Sequence, residues 1–480
     1  MLARLGDLHE NERVVRLAQE PIGQLLILGL GVLLLLHDTP SVLAAPVIVF
    51  ASQWPERRRL VLSVAGVLTL VHAAWVGLRP VPELGSFEVL PWEAPGASFE
   101  SLGAVALVLL VIAVTWAVAV HLPRLPGWLR RHPQLAWHAV ILSFLGLACL
   151  HPGNALIQTL VYTVTFLTWR VAYLLKHAQA GLAGTRLVDH FFYLWPAWGG
   201  SRVPYGQGLQ ALGRREAGND EELVRSQLAG LKLLLLAKLW LVVVSALKLF
   251  VLAPSTPDAR VSDHNLGLPR LSSLIEGSHG ASLGVAWLAV LIELVHVTLR
   301  LAVYGHVVIG CLRLCGFNVF RNTYKPLLAE SLVEFWGRYA YYFKELMLEL
   351  FFYPTFLRLK VGPRLRMFCA VFAAAFVGNL YFHLLLERGS MVSGDWAEVW
   401  RVLESRLVYC FFLALGIWLS MLRQQSRRGE PVDPRWHRRL LRIAGVWLFF
   451  GLLRIWNVKG DDLDLADRAR FFVSLFGWPT

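Results

Sequence analysis

An imidazole placed inside an apolar run is the side chain of this protein best suited to chemistry. In FCAVFAAAFVGNLYFHLLLERG (368–389), Asn379, His383 and Glu387 stand at i, i+4 and i+8 and so share one face of a helix. Ionisable groups in hydrocarbon are costly, which makes each one a functional candidate by default. A neutral His383 can take a proton from an incoming hydroxyl. Asn379 can orient that ring or donate to a developing oxyanion, the usual role of an amide near acyl chemistry. The competing reading is packing, in which the histidine bonds to a neighbouring helix and joins the two without reacting.

Two further clusters carry charge into apolar sequence. In IELVHVTLRLAVYGH (292–306), Glu293, His296 and Arg300 recur about once per turn and His306 follows. Paired buried charges of this kind form either a polar spine between helices or the lining of a substrate path. In SLVEFWGRYAYYFKELMLELFF (331–352), Glu334, Arg338, Glu345 and Glu349 follow at steps of four, seven and four. That spacing predicts a single helix with one polar stripe, lying in the interface or facing a polar cavity. The cysteines (Cys149, Cys311, Cys315, Cys369, Cys410) lie in apolar stretches without zinc-ligand spacing and read as small core residues. The acids and arginines of DDLDLADRARFF (461–472) read as a short external cap with no chemistry. P-loop, G-x-S-x-G, H-E-x-x-H and EF-hand spacings are absent from the sequence.

The elements that must hold these residues follow from composition. Of 480 residues, 56% are hydrophobic and 16% charged, and the mean hydropathy is +0.53. A soluble domain carries about 25% charged residues, so an ordinary soluble enzyme is excluded. Apolar runs at 22–36, 42–51, 60–79, 102–121, 135–150, 155–175, 224–253, 282–304, 367–386, 406–422 and 441–456 predict an all-α polytopic membrane protein with about eleven crossings. The 42–51 run is short for a crossing. The net charge of +13 comes from basic clusters between the runs, at 54–59, 124–132, 174–186 and 423–442. The acidic 80–101 loop, the uncharged 151–154 turn and the mixed 387–404 loop alternate with them. The positive-inside rule then sets the N-terminus in the cytoplasm and leaves no reason to invoke a nucleic-acid partner. The charged, amphipathic lead 1–20 is not a signal peptide, so the first apolar run is expected to remain as an anchor. Segment 187–212 combines Phe191, Phe192, Trp195 and Trp198 with Pro196, Gly199, Gly200, Pro204, Gly206 and Gly208, which predicts a re-entrant or interfacial element.

In chain order, several of these segments resemble the membrane-bound O-acyltransferase family, in particular its bacterial alginate O-acetyltransferases and teichoic-acid D-alanyl transferases. YTVTFLTWRVAYLL (162–175) looks like that family's "SFYTFQAISYLID", and HFFYLWPAWGGSRVPY (190–205) resembles its "FFPQLIAGPI". The segment 301–354 is the closest match, with Tyr304, Gly310, Gly316, Phe317, Pro326, Ser331, Phe335, Trp336, Arg338, Phe352 and Pro354 in matching places. FVGNLYFH (376–383) stands where the family has its "GLWHG" helix, so by resemblance His383 matches the active-site histidine. The sequence departs from the pattern at His306, Ala340, Phe382 and Leu384, where the family has Asp, His, Trp and Gly.

The resemblance implies N-terminal membrane helices (1–154), an acyltransferase-like core with re-entrant elements (155–390) and C-terminal membrane helices (391–480). It implies acyl transfer from a cytoplasmic thioester, acyl-CoA or an acyl-carrier protein, to a hydroxyl on an extracytoplasmic polysaccharide, lipid or protein, with no permanently bound cofactor and no metal. His383 and Asn379 would be catalytic, with Trp336, Arg338, Glu334, His306 and Tyr304 lining or supporting a tunnel. Membrane lipids and a periplasmic or secreted protein are the expected partners. Abundant Leu, Arg, Gly and Trp with few Asn, Ile and Lys suit a GC-rich bacterial genome and its inner membrane. The alternatives are an inactive scaffold of the same fold, or a transporter or flippase; internal repeats, the mark of many transporters, are not evident.

Overall fold

The computed structural model describes residues 8–36, 44–76, 98–180, 186–191, 205, 207–254, 261–277, 281–426, 435–458, 460 and 463–478. Residues 80–97 of the acidic loop, 192–204 and 206 of the expected re-entrant element, and 427–434 of the last basic loop lie outside them. Among the described residues the fold is helical and has no strand, only isolated bridges such as Glu216 with Phe317. Each of the eleven apolar runs coincides with a helix. Among the described residues five helices are long and apolar enough to cross a membrane: Pro133–Leu150, Asp220–Val251, Leu283–Leu314, Pro363–Leu386 and Trp396–Ser426. At 1.5 Å per residue, a helix of 32 residues runs for about 48 Å, well past ~30 Å of hydrocarbon. A sixth span results if Glu12–Gln19 and Pro21–Leu35, bent by 95°, count as one. The bend has a local cause. Glu20, held extended (φ −66°, ψ 151°) ahead of Pro21, ends the first helix, and the proline opens the second.

The chain divides into two compact units, and the division falls within the Asp220–Ala246 and Leu283–Leu314 helices. The first comprises Met1–Lys238, Tyr304–Arg321 and Met391–Gly394. Its core sets Phe166, Leu167, Val171, Leu174 and Leu175 of the Ala155–Ala180 helix against Val105, Val108 and Ile112 of Ser98–Val120. Thr163, Thr165 and Thr168 enter this apolar setting by donating their hydroxyls to carbonyls one turn back. The Pro133–Leu150 helix is pinned alongside, where Trp137 Nε1 donates to the Thr168 carbonyl at 2.9 Å. Gly230 and Gly310 let two backbones meet: a Cβ on Gly230 would lie 2.9 Å from the Gly310 carbonyl oxygen. Arg58, 1% exposed, donates to the carbonyls of Ala51 (3.3 Å) and Ala217 (3.2 Å). Its guanidinium fills the space a side chain on Gly316 (φ +90°) would need.

The second unit comprises Leu239–Val303, Asn322–Ser390 and Asp395–Thr480. One core gathers Leu294, Phe335, Met367, Val371, Leu413, Ile417, Phe450 and Leu453, with the Phe335 and Phe450 rings stacked at 3.8 Å. A second surrounds Leu271, Val290, Ile455 and Phe471. Among the described residues Leu247–Val251 closes one of its helices with a π-helical turn, and two further π-helical turns, Leu348–Phe352 and Phe372–Gly378, interrupt other helices. The latter two meet at Gly378, where a Cβ would sit 2.8 Å from Phe351 and 2.9 Å from the Met347 sulfur.

The single striped helix expected over 331–352 is corrected. It is broken at Ala340 (φ −140°, ψ 75°) into Leu332–Tyr339 and Tyr341–Met347, the latter passing into the π turn. Segment 322–324 satisfies the groups freed at the break. Asn322 accepts from the Tyr341 amide at 2.9 Å, the Thr323 hydroxyl donates to the Tyr339 carbonyl, and the Tyr324 amide donates to the Arg338 carbonyl. The acids and bases of the stripe pair locally instead, Glu334 with Arg338 at 2.5 Å and Glu345 with Lys344 at 2.6 Å.

Candidate functional site

His383 sits on Asn379–Leu386, the α-helical continuation of the π turn Phe372–Gly378. The wide turn and the bare Gly378 set the height and rotation at which the next residues emerge; such π turns are frequent at functional sites. Asn379 follows directly. It is 2% exposed, and its amide nitrogen makes no hydrogen bond among the described residues. Most buried polar atoms are paired, so an orphaned amide donor calls for a ligand or a water. One turn on, His383 is half-buried. The helix ends at Glu387, its C-cap (φ −87°, ψ 16°), which donates its amide to the Leu384 carbonyl at 3.1 Å.

Aromatic rings fix the surroundings of the imidazole. Tyr409, on the Trp396–Ser426 helix, meets it at right angles (centroids 5.9 Å apart, interplanar angle 89°). Phe382 packs on Phe343 at 4.8 Å, and Phe343 on Trp336 at 5.7 Å, which brings Trp336 into the same aromatic row. Glu334 and Arg338 are engaged in a local structure: the Ser331 hydroxyl caps the Glu334 amide, and the Glu334 carboxylate accepts from the Glu330 amide at 2.6 Å. His306 and Tyr304 belong to the first unit, apart in chain organisation from the remaining expected site residues. His306 is buried, with Nδ1 unpartnered, in the field of Arg313 and Arg321; the Tyr304 ring packs on Tyr205 at 6.1 Å.

The Glu293 cluster acquires partners that the local spacing did not name. Glu293 Oε1 accepts from Arg454 Nη2 at 3.0 Å and Nε at 3.2 Å, and His296 Nδ1 lies 3.7 Å from Oε2. This ion pair joins the Leu283–Leu314 and Trp436–Ile455 helices as a polar spine. The carbonyls at the end of the second helix are then taken by arginines. Arg406 donates to Trp456, Arg454 to Asn457, and Arg468 to Ile455 and Val458. Cationic donors suit the negative end of a helix dipole. Tyr339 interacts electrostatically with Glu293, Arg300 and Arg454, and Tyr409 with Tyr339, Arg406 and Arg454. Tyr339 and Tyr409 both pack against the core that holds Leu294 and Leu453, neighbours in sequence of Glu293 and Arg454. Outside the spans, burial raises the Tyr339 phenol above its ordinary pKa. Burial first, and then Arg401 and Arg454, lower the Arg468 guanidinium to about 10.

Sequence reasoning missed Arg406 and Arg454, although each falls in an apolar run and the rule applied to His383 could have found them; it also missed Tyr409, which that rule does not mark. It also missed Arg468, 3% exposed inside what reads as a surface cap. Among the described residues, no group of three or more His, Cys, Asp or Glu side chains is placed to hold a metal, and Cys311, Cys315 and Cys410 are buried. No protein-family model matches the chain, and no curated protein sequence matches it.

Proposed function

We propose that this protein is a membrane-embedded O-acyltransferase of about eleven crossings, with a membrane-bound O-acyltransferase-like fold and a cytoplasmic N-terminus. It moves an acyl group from a cytoplasmic thioester to a hydroxyl of an extracytoplasmic acceptor. The observation that carries the reading is the pairing of a half-buried His383 with the orphaned amide of Asn379 one turn away, on a helix able to cross a membrane. An imidazole and an amide donor are the two groups acyl transfer requires.

In this reading His383 accepts the proton of the acceptor hydroxyl as its oxygen attacks the thioester carbonyl. The Asn379 amide donates to the resulting oxyanion. Collapse breaks the carbon–sulfur bond, and the departing thiolate takes the proton from the imidazolium. The products are an ester and a free thiol, and the histidine returns to its neutral state. Trp336 and Phe343 provide an apolar wall on one side of the helix, and the Glu334–Arg338 pair supports that wall.

The test compares a deletion strain carrying the wild-type gene with one carrying His383→Ala. Mass spectrometry of surface glycans, lipids and secreted proteins reads the acyl mass increment. Loss of the increment at unchanged membrane abundance of the variant is expected. An increment that persists removes His383 from the mechanism.

A further inference from the structure

Tyr409 is not singled out by its place in the sequence, yet it occupies the junction of the second unit. It packs against both of the unit's apolar cores and lies in the field of Arg406 and Arg454. Its ring stands perpendicular to the His383 imidazole. On its own helix, the following residues Cys410, Leu413 and Ala414 are fully buried, so the backbone that carries the ring is anchored. Arg406, one turn earlier, is fastened to the Trp456 carbonyl at 2.8 Å.

A perpendicular pair of rings is a favoured arrangement, and it restricts the torsions that turn the imidazole. On the other side, Phe382 packs against Phe343, which limits movement of the His383 helix in that direction. The Phe382 ring also meets the imidazole, with centroids 5.9 Å apart and an interplanar angle of 74°. Of these two rings Tyr409 is the one that comes from a different helix, so it is an external reference for the imidazole.

We propose that Tyr409 is a positioning residue: its ring clamps the plane of the His383 imidazole, and the anchored arginine helix holds the clamp in place. That this clamp serves proton transfer rests on the acyltransferase reading; the clamp itself does not. The role belongs to the ring rather than the hydroxyl, so phenylalanine should substitute and an aliphatic side chain should not.

The full chain, purified in detergent, is treated with diethyl pyrocarbonate, and carbethoxylation of His383 is followed by peptide mass spectrometry. The exposed His437 serves as an internal control. Releasing and uncovering the imidazole in Tyr409→Leu should raise the His383 rate about three- to tenfold, while Tyr409→Phe stays at the wild-type rate and His437 is unchanged in both. An unchanged or slower His383 rate in Tyr409→Leu, or an equal rise in Tyr409→Phe, overturns the proposal. If Tyr409→Leu does not fold, Tyr409→Met, a flexible side chain without a ring that adapts to irregular gaps, takes its place in the comparison. The acyl increment in cells provides the second readout, retained with Tyr409→Phe and lost with Tyr409→Leu. Should His383→Ala leave that increment intact, the acyltransferase reading falls, and the labelling comparison still decides whether the clamp exists.

Discussion

Removing Glu293 tests whether the polar spine holds the second unit together. Arg454 donates from two of its guanidinium nitrogens to Glu293 Oε1, at 3.0 and 3.2 Å, and from the third to the Asn457 carbonyl at 3.0 Å. The two side chains are 18% and 19% exposed, so water screens the pair little. Breaking a fully buried pair by removing one partner costs about 3–5 kcal/mol, chiefly because the other charge is stranded. Here the remaining bond to Asn457 and the partial exposure bring Glu293→Leu down to about 2–4 kcal/mol. Arg454→Leu should cost a similar amount. The double variant leaves no stranded charge and should return to within about 1 kcal/mol of wild type. Unfolding of the purified chain in mixed micelles titrated with SDS measures all three. Single variants within about 0.5 kcal/mol of wild type, or a double variant whose loss equals the sum of the singles, would refute the argument.

Two glycine substitutions probe the frameworks of the separate units. Gly316→Ala places a Cβ 2.7 Å from Arg58 Cζ at a residue with φ +90°. Backbone strain of about 1–2 kcal/mol and disturbed guanidinium bonds of about 1.5–3 kcal/mol sum to roughly 3–5 kcal/mol in the same unfolding assay. In an Arg58→Ala background the strain and the 2.9 Å approach to Leu223 Cδ1 should remain. Gly378→Val drives a branched side chain into Phe351 and Met347 at the crossing of the two π turns. Met347 can swing aside and the Phe351 ring cannot, so a loss of about 1–3 kcal/mol is expected. The displacement of Asn379 should also abolish the cellular acyl increment; a full increment would show that the π-turn crossing does not set the site.

Local sequence determined the helical content of this protein and the places where its helices lie. Eleven apolar runs coincide with helices because hydrophobic length and the 3.6-residue period are properties of a short window. Pro21 likewise sets the 95° bend from within its own neighbourhood. The i, i+4 relation of Asn379 and His383 survives for the same reason, since one turn of α-helix is all it requires. Tertiary structure decided the rest. The break at Ala340 exists because Asn322 and Thr323 accept and donate the hydrogen bonds that a continuous helix would have kept to itself, and no periodicity within 331–352 encodes that partner. Glu293 meets Arg454 across 161 residues, and His383 meets Tyr409 on another helix. A charge in an apolar run must find a counterpart, but which counterpart it finds depends on helix packing. That packing follows from the shapes of whole cores, with close approaches permitted only where glycines such as Gly378 leave room.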